Sequence, residues 1–250
     1  MTTSTVLIDG HGGALLVDPA YEADELADFA PALLAHNVRA VAGLATHVHY
    51  DHVLWHPGLG APPRWASPWT ANAVLGAARA AVVAPLQGTL PEDLIELAAR
   101  LVALPSGPVG AAAGAAAGVV YEVPWSGPLI RCYEHQAHAP GHLAVELPSS
   151  RVLLAGDMLS DVELPMPDDD DQDLTTYLTG LDVLAPVVAR AGLLVPGHGT
   201  PTEHPMARVD ADRRYLDDLI AGRQPEDQRI GLPGMAELHA QNLVRAARTC

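Results

Sequence analysis

Residues 46–52 read THVHYDH and come directly after the apolar run from Arg39 to Ala45. That juxtaposition constrains the chain more than any other feature. A buried-type strand delivers the residues beyond its end to a sheet edge, and polar residues carried on such loops are where sites are built. In an extended segment His47 and His49 share one side, because side chains alternate along a strand. Asp51 and His52 fall where the chain can turn into a helix. Divalent cations such as zinc take imidazole nitrogens and carboxylate oxygens in small numbers per ion. One short segment can therefore feed two metals.

Three later positions repeat the pattern singly: His142 in APGH, Asp157 in LLAGD and His198 in VPGHG. Each lies beside an apolar, strand-like run and a glycine turn. Together with the block they supply enough imidazoles and carboxylates for two ions. His11, His36, His56, His204 and His239 have no such setting and are read as surface or core residues.

Around these pieces, short runs rich in Val, Leu and Ile alternate with helical patterns, which argues for sheets covered by helices, an α/β class. A strand pair is expected at Thr5 to Ile8 and Ala14 to Val17, then a helix from Tyr21 to His36 with acids near its start. Helices are expected at Thr70 to Ala81 and Glu92 to Val102, with a flexible connection after them through GPVGAAAGAAAG. Strands are expected at Gly118 to Val123, Leu129 to Glu134, Leu143 to Leu147, Arg151 to Ala155 and Leu193 to Val195. Further helices are expected at Thr175 to Arg190, Met206 to Ile220 and Gly234 to Arg248. No repeat of the metal block and no clean linker divides the 250 residues. One domain over 1–250 with a variable insertion around 85–118 is the expected organisation.

Composition narrows the partners. The formal net charge is −16, all 14 basic residues are Arg, and no basic run exists. Such a chain repels phosphate backbones and anionic membrane surfaces, so a small molecule is the expected partner, with no nucleic acid and no membrane. The opening residues lack a basic segment leading into an apolar core, and no segment is long enough to span a bilayer. The two cysteines make no disulfide framework, so the expected compartment is cytoplasmic.

The ordered set of motifs resembles the metallo-β-lactamase superfamily: a His-any-His-any-Asp-His block, then single His, Asp and His positions in separate loops, all seven filled here. The resemblance runs from ALLVDPA through HAPGH and AGDML to VPGHG. It implies a four-layer αββα sandwich. It also implies two divalent ions, zinc first with iron or manganese as alternatives: His47, His49 and His142 for one, Asp51, His52 and His198 for the other, and Asp157 between them. Asp18, at the end of ALLVD, matches an acidic residue often placed beneath the metals, and reads equally as a turn former before Pro19. His138 reads as a turn residue rather than a ligand. The chain departs from the family where Val53-Leu54-Trp55-His56-Pro57-Gly58 replaces a Gly-rich turn, which implies a bulkier pocket wall, and it offers no lysine for a substrate carboxylate.

For activity, the resemblance implies a hydrolase in which a hydroxide between two metals attacks an ester, thioester, lactone or lactam of a small, apolar-leaning metabolite. Asp51 and His52 are the candidate catalytic residues, with Asp51 also orienting the attacking water. Trp55, Trp65 and Trp69 offer an apolar substrate wall or, equally, packing for the Pro-rich loop. A phosphodiesterase and an iron-dependent sulfur dioxygenase are the alternatives on the same fold. A non-catalytic binding protein is a further one, against which the complete ligand set counts.

Overall fold

The computed structural model describes residues 2–19, 21–105, 119–168 and 173–249. The GPVGAAAGAAAG tract and Cys250 lie outside the described residues, as does most of the acidic run Asp168 to Asp171. The chain divides into two compact units, one of Met1–Val109 with Tyr121–Cys132, the other of Gly110–Val120 with Tyr133–Cys250. Among the described residues no helix is long and apolar enough to cross a membrane.

The first unit is built on a five-stranded sheet: β1 (Thr5–Ile8), β2 (Gly13–Val17), β3 (Arg39–Leu44), β4 (Arg64–Ala66) and β5 (Val102–Ala103), in that order. β1 and β2 form an antiparallel hairpin, with Thr5 opposite Val17, while β2 to β5 run parallel. Every residue of β2 is buried, as a strand covered on both faces requires. The helix α1 (Ala23–Ala35) packs Leu33 against Ala14 and Leu16 of β2, while Leu26, seven positions earlier and so on the same helical face, packs with Leu54, Leu86 and Leu94. The helix expected at Thr70 to Ala81 breaks into α2 (Pro68–Ala73) and α3 (Ala77–Val83), because Gly76 takes φ 60 between them. Ser67 caps α2 by accepting from the Thr70 N–H at 3.1 Å. The next helix, α4 (Glu92–Leu97), stops short of Val102: Ala99 enters the left-handed region at φ 57, and Val102 then joins the sheet edge as β5.

A second five-stranded sheet has the order β10-β9-β8-β7-β6, from β6 (Val120–Glu122), β7 (Arg131–His135), β8 (His142–Leu147), β9 (Val152–Leu154) and β10 (Leu193–Val195). β8 pairs antiparallel with β9, and β9 parallel with β10. Helices α5 (Leu174–Val188), α6 (Pro205–Ile220) and α7 (Met235–Thr249) belong to the second unit. On α5 the buried Leu174, Tyr177, Leu181, Leu184 and Val188 recur every three or four residues and enter one apolar core with Leu153, Leu194, Val209 and Leu216. Each such aliphatic side chain contributes roughly 1.5–3 kcal/mol on burial. Asp173 caps α5, its Oδ1 accepting from Thr176 N–H at 3.1 Å.

Candidate metal centre

Parallel pairing brings two strand ends to one edge in the first unit. Val17 lies opposite Leu44, so the next residues along each strand, Asp18 and Ala45-Thr46-His47, emerge side by side. Asp18 adopts φ 46, a left-handed conformation for a non-glycine residue, of the kind held only where surrounding contacts over-determine it. The contacts here are three. Asp18 Oδ1 accepts from the Thr46 N–H at 2.8 Å, and Oδ2 accepts from Thr46 Oγ1 at 2.7 Å and pairs with His52 Nδ1 at 2.9 Å.

These bonds fix where the protons lie. A threonine hydroxyl has one proton, and Thr46 spends it on Asp18, so it accepts from His47 Nδ1 at 3.0 Å. The carboxylate likewise takes the Nδ1 proton of His52. Both imidazoles are thereby held in the Nδ1–H tautomer, and each presents an Nε2 lone pair, the form in which a neutral histidine binds metal. His47 and His52 are fully buried with ring centroids 4.1 Å apart. His47 Nε2 meets His49 Nδ1 at 2.9 Å, and His52 Nε2 lies 3.5 Å from Asp51 Oδ2, which also accepts from Thr2 Oγ1 at 2.9 Å. The four residues expected from THVHYDH thus form one cluster, organised by Asp18 and Thr46. Thr46 carried no signal of its own in the sequence.

The second unit repeats the device with different strands. β9 and β10 run parallel, so their ends deliver Asp157 and His198 to the same edge; β8 runs the other way and begins there with His142. The turns after β9 and β10 lock together through Gly197 N–H to Gly156 O at 2.7 Å. A side chain at position 197 would press on the Asp157 carboxylate and the Gly156 carbonyl, so a substitution there would have to displace Asp157. His198 Nε2 lies 3.3 Å and His138 Nε2 3.7 Å from Asp157 Oδ2, and the Asp157 N–H is 3.2 Å from His142 Nε2. Asp157, Glu163 and His198 bring ligand atoms within 4.8 Å of one another.

Three residues here exceed the sequence reading. His138, read as a turn residue, bonds the Met166 carbonyl through Nδ1 at 2.9 Å while its Nε2 faces Asp157. His135, not anticipated at all, places Nε2 at 3.0 Å from His142 Nδ1. Burial, reinforced by His138, pushes its pKa down to about 3, so it meets His142 as a neutral ring. Glu163 lies six residues past Asp157, a spacing without any familiar motif. Cys132 is buried and its thiol pushed up by burial, which makes it inert.

The three tryptophans diverge. Trp55 is 2% exposed, packs with Ala14, Leu16, Leu33 and Leu59, and donates from Nε1 to the Gly60 carbonyl at 3.0 Å. The Arg64 guanidinium stacks over its indole at 5.0 Å. Val53 and Leu54 are equally buried. Of the two readings open for Trp55, substrate wall or packing, its surroundings fit packing: this stretch after the histidine block turns inward, with Val53 and Leu54 fully buried beside it. Trp65 is half-buried on β4, and Trp69 is exposed on α2.

Among the described residues there are His/Asp clusters able to bind metal, Asp157, Glu163 and His198 of the second unit among them. The donors fit zinc-type ions: imidazoles beside carboxylates, with the second ring nitrogen of His47, His52 and His138 held by a hydroxyl, a carboxylate and a carbonyl. A sequence profile of the metallo-beta-lactamase superfamily matches residues 1–205. Among solved structures, a metallo-beta-lactamase from Pontibacter korlensis shares the fold at TM-score 0.56 and 15% identity, covering 84% of this chain and 86% of that one. The DIM-1 metallo-beta-lactamase does so at TM-score 0.51 and 16% identity, with the same 84% and 86% coverage. No curated protein sequence gives a significant match.

Proposed function

Because the chain belongs to the metallo-beta-lactamase superfamily, we propose that it is a dinuclear metal-dependent hydrolase that opens an ester, thioester, lactone or lactam bond of a small, apolar-leaning molecule. The ligand assignment is part of the proposal: His47, His49 and His142 for one ion, Asp51, His52 and His198 for the other, and Asp157 for both. One profile running over residues 1–205 draws on both units, which supports reading them as a single domain.

The observation that carries the reading is the Asp18 carboxylate with its three donors. A histidine kept only for packing needs no fixed tautomer. Here one buried acid fixes two imidazoles, His52 directly and His47 through the Thr46 hydroxyl, so that each is held at Nδ1 with its lone pair on Nε2. When bound, divalent ions supply a water acidic enough to attack at neutral pH and positive charge for the developing oxyanion. The chain's own part is positional. Asp18 and Thr46 hold His47 and His52; Asp51, steadied by Thr2, is placed to orient a water and accept its proton at Oδ2. Neutral His135 keeps the His142 ring in register.

The test is a panel of chromogenic ester, thioester, lactone, β-lactam and phosphodiester substrates, with metal content measured on the same sample purified without added metal. Hydrolysis at a carbonyl with about two equivalents of zinc is the expected result. Turnover of the phosphodiester alone, or iron with sulfur oxidation and no hydrolysis, overturns it.

A further inference from the structure

The loop after β9 carries Asp157 and then does something costly. Leu159 adopts φ 59, a left-handed conformation worth roughly 1–3 kcal/mol of strain in a residue with a side chain. The next residue holds it there. Ser160 Oγ donates its one proton to the His198 carbonyl at 2.7 Å, and accepts from the Val162 and Glu163 N–H groups, each at 3.0 Å. That exhausts a hydroxyl's capacity of one donated and two accepted bonds. Asp161 adds a second tie, accepting from Thr200 N–H at 2.8 Å and from Thr200 Oγ1, and pairing with Arg208 at 3.2 Å. A Cβ at Gly199 would meet Asp161 Oδ1 at 2.2 Å, so the glycine is what lets the two loops close on each other.

The tie is anchored from a segment beyond the 1–205 span of the family match. Arg229, in the turn Gln228–Gly231 between α6 and α7, is 6% exposed. The two N–H groups of its Nη1 serve three acceptors, the Ser160 carbonyl at 2.9 Å, the Glu163 carbonyl at 3.0 Å and Asp212 Oδ1 at 2.7 Å, so one of them is shared. Its Nη2 donates to Asp227 Oδ2 at 2.8 Å. Burial works against the guanidinium charge, yet Asp227 and Asp212 hold its pKa above the usual value. A buried ion pair contributes little net stability compared with apolar side chains of equal volume. A planar fork on two carbonyls of one strained loop contributes direction, which an apolar side chain does not.

We infer that Ser160, held by Arg229, is a positioning residue that ties the loop bearing Asp157 to the loop bearing His198. The inference rests on the metal reading above for its consequence, and on the hydrogen bonds alone for its geometry. Its test separates the two. In the full chain, Ser160→Ala removes the donor and Ser160→Thr restores a hydroxyl. Amide hydrogen exchange is monitored in the metal-free protein, zinc affinity is titrated, and thermal melts verify that each variant folds. Ser160→Ala is expected to speed exchange at residues 197–200, which it does not touch covalently, and to weaken zinc binding about 10- to 100-fold, as loss of a ligand-orienting partner does. Ser160→Thr is expected to behave as the parent does. Unchanged exchange at 197–200 in Ser160→Ala, or equal effects of the two substitutions, overturns the inference. If the parent binds no zinc, the metal reading fails, while the exchange result still decides whether the tie exists.

Discussion

Asp18 sits at the start of a chain of proton assignments whose end is the chemistry of His47 and His52. Replacing it with Ala leaves Thr46 Oγ1 and His52 Nδ1 to find other partners and frees both rings to take the wrong tautomer. Zinc affinity is expected to fall about 10- to 100-fold while the fold persists, read by titration beside a thermal melt. The seven residues proposed as ligands could be singled out because their spacing and strand-end settings are properties of the sequence itself. Thr46 and His135 were not, because their roles come from the neighbours that strand pairing places beside them, and a threonine or histidine in a strand has many uses. Asp18 had two readings of equal weight, and its hydrogen bonds decide between them. The tryptophans had two readings for the same reason: proximity in sequence to a histidine block does not say which way an indole points. Trp55→Ala is expected to cost about 3–5 kcal/mol, as emptied aromatic core positions do, whereas the exposed Trp69→Ala should leave stability within about 0.5 kcal/mol. Denaturant titrations of the two variants measure the contrast.

At the scale of elements, the site is a consequence of strand direction. Parallel β2 and β3 bring Asp18 to Thr46, and parallel β9 and β10 bring Asp157 to His198, while β8 enters from the opposite direction with His142. The alternation of apolar runs and helical patterns made this class of sheet legible. The short strands β4 and β5 were hidden because two or three residues carry too little periodicity, and the helix break at Gly76 because one glycine is tolerated in many helices. Asp173, the cap of α5, gives a pH-dependent test. The Thr175 hydroxyl bond, with the Thr176 bonds, holds its carboxyl below the ordinary range. A lowered folded pKa means stability that is present above the unfolded value and lost as pH falls through the folded one. Asp173→Ala should therefore cost about 1 kcal/mol at neutral pH. The difference from the parent should shrink in acid, where the parent's own carboxylate is protonated; a constant gap in urea melts across that range contradicts the cap.

The whole molecule carries a net charge of −16, which favours cations over anions near its surface, and among the described residues His/Asp clusters able to bind metal. If Asp157 serves both ions, Asp157→Ala should lower stoichiometry at both positions, and His198→Ala mainly at one; equal losses by metal analysis remove the shared assignment. The central claim, that bound metal performs the hydrolysis, is tested most directly by one reconstitution series. A substrate turned over in the panel is assayed after exhaustive chelation with metal content verified, and again after stepwise return of zinc, with His47→Ala alongside. The account predicts that turnover disappears with the metal and returns in proportion to zinc bound, and that His47→Ala stays folded and inactive throughout. Full turnover by protein verified as metal-free would contradict it.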